Sequence, residues 1–310
     1  MTYTAPTFSI IIPLYNKSLF VAEALASVQA QTYPALEIIV VDDGSTDDGA
    51  ERVKAISDPR IRLLRQENAG VSIARNRGIE LARGDFVLFL DADDRYLPGF
   101  LETVMRLVGD FPSAALYATN YFRFREDGTR DITPISSALK IKEGLVEDFY
   151  AAWCRSPFFY TVSLAIRREV FADSEMRFPK GERLGEDQDL WFRIAERYPI
   201  AYAKSPLVEY RMNVQGSATQ TAKVLQVLPC YRRLEERLTA GRVPVSLRRS
   251  ARKLLASHLL NVARARLGEG DIEGGWTLAT DNRAKSNPIY RLRTMAALCY
   301  AMLRSCRAQQ

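Results

Sequence analysis

Acidic residues form three short groups whose spacing suits a substrate rich in phosphate. Two groups, Asp42–Asp43 and Asp91–Asp94, directly follow runs of apolar residues, and the third, Glu186–Asp187, lies further along the chain. Carboxylate oxygens are the ligands that Mg²⁺ and Mn²⁺ prefer, so an Asp-x-Asp sequence is suited to hold the cation of a nucleoside diphosphate. A carboxylate can also accept hydrogen bonds from a ribose hydroxyl or a nucleobase N–H.

The first two acidic groups stand where predicted strands end. Runs of β-branched and aromatic residues predict buried strands, and apolar residues at helical spacing predict helices. The strands are expected at Phe8–Pro13, Leu36–Val41, Ile61–Leu64 and Phe86–Leu90, and helices at Leu19–Gln31, with Ser18 as a candidate N-cap, and at Ser72–Ala82. Strands that alternate with helices indicate an α/β fold with a mostly parallel sheet. Ligands of such sheets bind at the carboxyl ends of the strands.

A helix cap is the alternative role for an acid at a strand end. We assign Asp47 and Asp48 to that role, because they open the helical segment after the second strand. Capping alone does not account for Asp43, Asp91 and Asp93 together, since these acids follow two different strands. The sequence therefore predicts a ligand site at this edge of the sheet.

Composition excludes several other classes of protein and site. The chain has 310 residues, 47% of them apolar and 26% charged, which is ordinary for a soluble globular protein. No apolar stretch approaches the roughly 18–20 residues of a membrane-spanning helix, and no secretory signal is visible before Thr7. The 4 cysteines lack Cys-x-x-Cys spacing and His258 is the single histidine, which excludes a zinc site. We therefore expect a cytoplasmic location.

Charge is distributed unevenly along the chain. From Lys223 onward, seventeen lysines and arginines face six aspartates and glutamates, a net charge of +11. The total is +6, so the first 222 residues carry −5. Such a basic region either meets an acidic partner, such as the inner surface of a membrane, or forms a solvated helix face. A dimer interface and a buttress for the preceding residues are further alternatives.

Five short motifs follow one another in the N-terminal third of the chain. They are Ser9–Asn16, Ile39–Asp47, Asn68–Gly70, Ala74–Gly78 and Phe89–Asp94. In this combination the sequence resembles the family 2 inverting glycosyltransferases of the GT-A fold, strongly over residues 8 to about 105 and more loosely to about 213. The resemblance implies a Rossmann-like, mostly parallel sheet flanked by helices. The C-terminal helical extension lies outside it.

The resemblance implies a role for each motif residue. The donor-binding residues would be Pro13, Tyr15, Asp43, Asn68, Gly70, Arg75 and Asp91. Among them, Asp43 would accept a hydrogen bond from the nucleobase and Asp91 would contact the ribose. Asp93 would hold Mg²⁺ or Mn²⁺. Arg75 either contacts the donor or forms a structural ion pair.

A second acidic motif, Glu-Asp before a helix, supplies the base in the family that the sequence resembles. Gly185–Trp191 matches it, so the resemblance implies that Asp187 is the catalytic base. A helix N-cap is the alternative role of Asp187. Asp189 is assigned to the first-turn partner of the helix dipole, and Asp94 either shares the metal or caps a helix.

The activity implied by the resemblance is metal-dependent, inverting transfer of a sugar from a nucleotide-diphosphate sugar to a hydroxyl. A UDP-sugar is favoured, and the acceptor would be a glycan or a lipid-linked sugar in polysaccharide or glycolipid biosynthesis. The alternative is a non-catalytic nucleotide-sugar-binding subunit of a glycan assembly complex. A nucleic-acid partner is not expected.

The expected domains are a GT-A catalytic domain at 1–222, with a donor half to about 105 and an acceptor half from about 106, and a basic helical region at 223–310. An aromatic stretch in the acceptor half, Phe149–Tyr160, either lines the acceptor site or belongs to the core.

Three departures from the family pattern concern the metal and the acceptor. Lys17 stands where members often have glutamate, and Met176–Pro179 replaces a Gly-Phe-Asp segment. Met212–Asn213 follow a Tyr-Arg pair where many members carry histidine. These departures leave the further metal ligands and the acceptor contacts open.

Overall fold

The computed structural model describes residues 5–132, 139, 142–214 and 223–308, with side chains as far as residue 303. The chain forms two compact units. The first comprises Met1–Glu147 and Ser156–Gln220, and the second comprises Asp148–Arg155 and Thr221–Gln310. The second unit thus includes a short segment that the expected division at residue 222 assigns to the acceptor half. That division stays a prediction.

Within the described residues, the first unit is built around one sheet of ten strands. The strands are β1 (Phe8–Leu14), β2 (Glu37–Asp42), β3 (Ile61–Arg65), β4 (Phe86–Phe89), β5 (Arg95–Tyr96), β6 (Leu116–Phe124), β7 (Arg130–Ile132), β8 (Glu143–Leu145), β9 (Leu164–Arg167) and β10 (Ile200–Arg211). Their order is β3-β2-β1-β4-β9-β6-β10-β5, with β7 beside β6 and β8 beside β10. β1 to β4 pair in parallel, β10 is parallel to β6, and β9 is antiparallel to both β4 and β6. The α/β fold class is confirmed, with a mixed sheet whose N-terminal part is parallel.

Helices accompany the strands and make up most of the second unit. The first unit contains α1 (Val21–Gln29), α2 (Gly49–Lys54), α3 (Val71–Leu81), α4 (Phe100–Asp110) and α6 (Glu186–Arg197). The second unit contains α5 (Phe149–Trp153), α7 (Pro229–Thr239), α8 (Arg248–Gly268), α9 (Ile272–Thr280) and α10 (Pro288–Ala308). Short 3₁₀ helices lie at Thr161–Ser163, Arg168–Ala172, Val245–Leu247 and Asn282–Ser286. No helix in the described part of the chain is long and apolar enough to cross a membrane.

The core explains why β1 and β2 are apolar without alternation. Ile10 and Ile12 of β1 belong to the large cluster that includes Val21 and Leu25 of α1. The opposite face of the sheet also packs against a helix, because Ile39 and Val41 of β2 form a cluster with Ala74 of α3. Parallel strands covered on both faces read as continuous hydrophobic runs.

Two local expectations differ from the structure. Ser18 does not cap the first helix: α1 begins at Val21 with Phe20 at the N-cap position, and the Ser18 N–H donates to Asp47 instead (2.8 Å). The sequence also predicts a strand over Thr161–Arg167, and this strand starts only at Leu164, because Thr161–Ser163 forms a 3₁₀ turn.

Candidate active site

The carboxyl ends of β1, β2 and β4 lie at one edge of the sheet. Leu14 at the end of β1 pairs with Asp42 of β2, and Ile11 pairs with Phe89 at the end of β4. Asp43 and the acidic group that begins at Asp91 therefore leave neighbouring parts of the same edge, as expected of an open α/β sheet.

Asp43 is buried and holds the loop that follows β3. Its Oδ1 accepts hydrogen bonds from Gln66 Nε2 (2.7 Å) and the Ala69 N–H (2.9 Å), and its Oδ2 accepts one from the Gly70 N–H (2.8 Å). The side chain is only 3% exposed. A carboxylate offers about four lone-pair directions, so one direction on Oδ2 is left for a ligand.

The other residues predicted to bind the donor surround this loop. Pro13 is partly buried, Tyr15 is 47% exposed, and Asn68 and Gly70 are exposed. Gly70 has φ +92°, in the left-handed region that favours glycine, and this conformation lets its N–H reach Asp43.

Asp91 is paired with Arg75 of α3. Arg75 Nη2 lies 2.8 Å from Asp91 Oδ1, and Arg75 Nη1 lies 3.2 Å from Glu186 Oε1. The guanidinium is buried, whereas the Asp91 side chain remains 29% exposed. Arg75 therefore joins the acidic group after β4 to the acidic group that opens α6.

Asp93 forms an ion pair with Lys17, whose Nζ lies 2.7 Å from Asp93 Oδ2. Both side chains are mostly buried, 18% and 17% exposed. Within the described residues, no group of three or more His, Cys, Asp or Glu side chains could hold a metal ion. Mg²⁺ in phosphate-binding sites is commonly held by one or two carboxylates together with substrate phosphates. Asp93 fits a metal site of that kind.

Asp94 is turned into the protein and does not cap a helix. Its Oδ1 accepts the Arg211 N–H of β10 (2.7 Å), while its Oδ2 is buried and has no hydrogen-bond partner. Burial, and then the charges of Asp93 and Asp91, raise the pKa of Asp94 well above its usual range. The next helix, α4, begins at Phe100 behind Gly99.

Asp187 is the second residue of α6 and is not its N-cap, because Gly185 occupies that position with φ +76°. Its Oδ2 accepts from Thr161 Oγ1 (3.1 Å) and its Oδ1 from the Gln188 N–H (2.7 Å). Burial raises the pKa of Asp187, opposed by Arg75 and by these two hydrogen bonds. Asp189 forms an i,i+4 ion pair with Arg193 (2.9 Å).

Glu186 shares the environment of Asp187. It is 9% exposed, and burial together with the negative charge of Asp187 raises its pKa to about 7, against the opposing effect of Arg75. Two adjacent carboxyls in a partly desolvated site titrate as a pair, and one of them retains its proton to higher pH.

The aromatic residues of Phe149–Tyr160 differ in how deeply they are buried. Phe158 and Phe159 are fully buried, and Phe149 and Trp153 belong to the second unit. Tyr160 is only partly buried: it stacks on Tyr210 of β10 (ring centroids 5.1 Å apart, 14° between planes) and meets Tyr121 of β6 edge-on (4.7 Å). Burial raises the pKa of Tyr160, and the charge of Asp187 adds to this effect. The next residue in the chain, Thr161, donates to Asp187, so this end of the aromatic stretch lies near the predicted base.

Four residues of this site were missed or given no role from the sequence. Lys17 appeared only as a departure from the family pattern, and Glu186 only as part of a motif. Thr161 and Arg211 carried no signal, because their partners Asp187 and Asp94 lie far away in the chain. Arg211 also donates from Nε to the Asp93 carbonyl oxygen (2.8 Å).

Comparison with protein families gives a direct match. The model described as glycosyl transferase family 2 matches residues 9–173, just over half of the chain. The protein EpsH of Bacillus subtilis (strain 168) is 30% identical over 229 residues, which is 71% of this chain and 65% of EpsH. The uncharacterized glycosyltransferase YibD of Escherichia coli (strain K12) is 44% identical over 122 residues, 39% of this chain and 36% of YibD. The chain thus spans about two thirds of EpsH and about a third of YibD.

Solved structures share the fold at low sequence identity. Staphylococcus aureus TarS 1–349 in complex with UDP-GlcNAc superposes with a TM-score of 0.66 at 18% identity, covering 94% of this chain and 81% of that one. Mannosyltransferase PcManGT from Pyrobaculum calidifontis, in complex with GDP-Man and Mn²⁺, has a TM-score of 0.61 at 21% identity and covers 100% of this chain and 89% of that one.

Proposed function

Because the chain belongs to glycosyl transferase family 2 and is therefore a glycosyltransferase, we propose that it moves a sugar from a nucleotide-diphosphate sugar to an acceptor hydroxyl with inversion. One observation carries this proposal. Arg75 joins Asp91, on the donor side, to Glu186 next to Asp187 (2.8 and 3.2 Å), so the residues predicted for donor and base belong to one charged cluster. A binding subunit without catalysis does not require a base at that place.

Asp187 supplies the base in this proposal. A sugar hydroxyl is a poor nucleophile until a carboxylate within hydrogen-bond reach takes its proton. The Thr161 hydroxyl and the Gln188 N–H each donate to one oxygen of Asp187, which fixes the orientation of the carboxylate. Attack on C1 from the face opposite the leaving diphosphate then inverts the anomeric centre.

The donor is proposed to be held by Asp43, Asp91 and Asp93. Asp43 retains one lone-pair direction for a nucleobase N–H, which is compatible with uridine, so a UDP-sugar is favoured. Asp91 is exposed enough to accept from a ribose hydroxyl. Asp93 would hold Mg²⁺ or Mn²⁺, whose charge, when the ion is bound, would offset the negative charge of the diphosphate.

Tyr160 and Tyr210 are proposed to face the acceptor. Their stacked rings are both partly buried, and Tyr160 directly precedes Thr161, which donates to Asp187. The apolar C–H face of a pyranose ring can pack on such an aromatic surface. A glycan or lipid-linked sugar is therefore the proposed acceptor class. A cytoplasmic location belongs to the same proposal.

The deciding experiment separates binding from chemistry in the variant Asp187→Asn. We expect donor binding, measured by calorimetry with Mn²⁺, to remain within about twofold of the unchanged protein, while turnover falls by roughly 10³-fold or more because the base is lost. Asp48→Asn, an exposed acid on the same unit, is the matched control and should retain turnover.

The same assay identifies the donor and tests the alternative function. UDP-, GDP-, dTDP- and CMP-sugars are compared with and without Mn²⁺, and one nucleotide should bind in a metal-dependent manner. Undiminished turnover in Asp187→Asn would assign the base elsewhere. Donor binding without any transfer to glycan acceptors would favour a nucleotide-sugar-binding subunit.

A further inference from the structure

The C-terminal helix of the second unit, α10, is apolar on two opposite faces. Its inner face packs against α8 and α9, and Leu298 on that face is fully buried. Its outer face carries Ile289, Leu292 and Leu303, which are 69%, 71% and 65% exposed. A contiguous row of exposed large apolar side chains marks an interaction surface, so this outer face is suited to a second apolar surface.

The outer residues form a continuous stripe. Ile289, Leu292, Ala296, Cys299 and Leu303 follow one another at alternating spacings of three and four residues, and all five are exposed. Residues at this spacing lie along one side of an α-helix. The stripe therefore runs along most of the length of α10.

The charge of α10 has one sign. Between Pro288 and Ala308 the sequence contains Arg291, Arg293, Arg304 and Arg307 and no aspartate or glutamate. Arg293 is exposed directly beside Leu292 of the stripe, whereas Arg291 donates to the Ala279 carbonyl oxygen on the inner side (2.8 Å). The region from Lys223 onward has a net charge of +11, so the surroundings of the helix are basic as well.

Two kinds of apolar partner are compatible with the stripe, and the charges distinguish them. A second copy of the helix would pair along the same three-four spacing, but the spacing lasts only about two heptads, where a coiled coil needs three to four. Like arginines would also face each other across a symmetric interface, which is unfavourable. An anionic lipid surface offers both an apolar layer for the leucines and negative charge for the arginines.

We propose that the outer face of α10 docks on an anionic lipid bilayer, lying in its interface without crossing it. The inserted side chains are those of the stripe, and Arg293 lies at the level of the lipid headgroups. This surface is independent of the donor site and of the proposed function, because it is formed within the second unit alone.

The test is co-sedimentation of the full chain with vesicles of phosphatidylglycerol and phosphatidylcholine. We expect binding to mixed vesicles, at least tenfold weaker binding to pure phosphatidylcholine, and weakening as NaCl is raised from 0.05 to 0.5 M. The double variant Leu292→Gln/Leu303→Gln should lower the partition coefficient by roughly tenfold or more. Arg293→Gln should lower it severalfold and reduce the salt dependence.

The control is Val245→Gln, which removes another highly exposed apolar side chain (77%) of the same unit that does not belong to α10. It should bind vesicles like the unchanged protein. All substituted side chains are exposed, and thermal unfolding of each variant checks that the fold is retained. Equal binding by the double variant and Val245→Gln would overturn the proposal. So would a dimer in solution that the double variant dissociates, in the absence of vesicle binding.

Discussion

Lys17 forms an ion pair with Asp93, the carboxylate to which we assign the metal. The ammonium group lies 2.7 Å from Asp93 Oδ2, and both side chains are mostly shielded from solvent. In the absence of donor, a cation that binds Asp93 would have to displace the Lys17 ammonium group or share the carboxylate with it. A nucleotide-sugar would change the balance, because its phosphates supply further metal ligands and a new partner for the lysine.

We therefore expect Lys17→Gln to bind Mn²⁺ more tightly than the unchanged protein when no donor is present. Removing the competing charge should strengthen Mn²⁺ binding by roughly tenfold, measured by calorimetry or by the electron paramagnetic resonance signal of free Mn²⁺. Lys54→Gln, an exposed lysine of α2, is the matched control. Unchanged Mn²⁺ affinity in Lys17→Gln would show that the lysine does not compete with the metal.

The carboxyls of Glu186 and Asp187 predict the pH dependence of turnover. Burial and the neighbouring charge raise the pKa of Glu186 to about 7, and burial also raises the pKa of Asp187. A raised pKa means that a carboxyl holds its proton to higher pH than usual, so the ionised form of Asp187 becomes scarcer as the pH is lowered. Turnover at saturating donor should therefore rise from pH 5 to pH 8.

Glu186→Gln tests the origin of this profile. In the variant Asp187 no longer shares its environment with a second ionisable carboxyl, so the acidic limb should move to lower pH. Glu51→Gln, an exposed glutamate of α2, should leave the limb in place. An unmoved limb in Glu186→Gln would mean that the pair does not control the profile.

Among the elements, α3 positions Arg75, and Gly78 allows the helix to approach the sheet. A Cβ at Gly78 would lie 2.4 Å from Ile11 Cγ2 of β1, a distance that real Cβ atoms do not show. The same helix carries Asn76, whose side-chain amide donates to the Phe178 carbonyl oxygen (2.8 Å) and accepts from its N–H (3.0 Å). Displacing α3 would therefore move both Arg75 and the segment ahead of α6.

We expect Gly78→Ala to destabilise the fold by about 1–3 kcal/mol through overpacking, measured by denaturant unfolding. Ile11→Ala removes the methyl group that the new Cβ would meet. In a double-mutant cycle, Gly78→Ala should therefore cost less in the Ile11→Ala background than in the unchanged protein. Equal costs in the two backgrounds would exclude this contact as the cause.

Strands and helices that are marked by an apolar run or by a glycine or proline break could be predicted from the sequence. The apolar runs of β1 to β4 and the Gly/Pro breaks between α7, α8, α9 and α10 are visible in any short window of residues. β10 was not predicted, because Lys204–Pro206 interrupts its pattern and the pairing with β6 shifts register there. Proline lacks the N–H that a central strand needs, so the sequence argued against a strand.

The contacts of the site could not be predicted, for a related reason. The ends of the predicted strands singled out Asp43 and Asp91 as candidate site residues, and the resemblance to the family added Asp187. Their partners depend on which elements meet in space: Arg75 and Glu186 are 111 residues apart in sequence. No periodicity in the sequence connects two positions so far apart.

At the scale of the whole molecule, the chain passes between its two units more than once. Asp148–Arg155 belongs to the second unit, although the residues on either side belong to the first. In this segment, α5 packs against α8, and its side chains Phe149, Tyr150 and Trp153 are at most 6% exposed. A protein cut at residue 222 would keep α5 and lose α8.

Truncation to residues 1–222 should therefore produce an aggregation-prone protein, although the cut lies where the acidic part of the sequence gives way to the basic part. Three aromatic side chains of 150–250 Å² each would expose roughly 450–750 Å², as much as or more than the largest apolar patch of a typical monomer. We expect this truncated protein to bind a hydrophobic dye and to aggregate during gel filtration. Replacing its residues 148–155 by a glycine-serine linker should restore a monomer that binds the donor. If the unmodified truncation is monomeric and does not bind the dye, α5 does not depend on the second unit for burial.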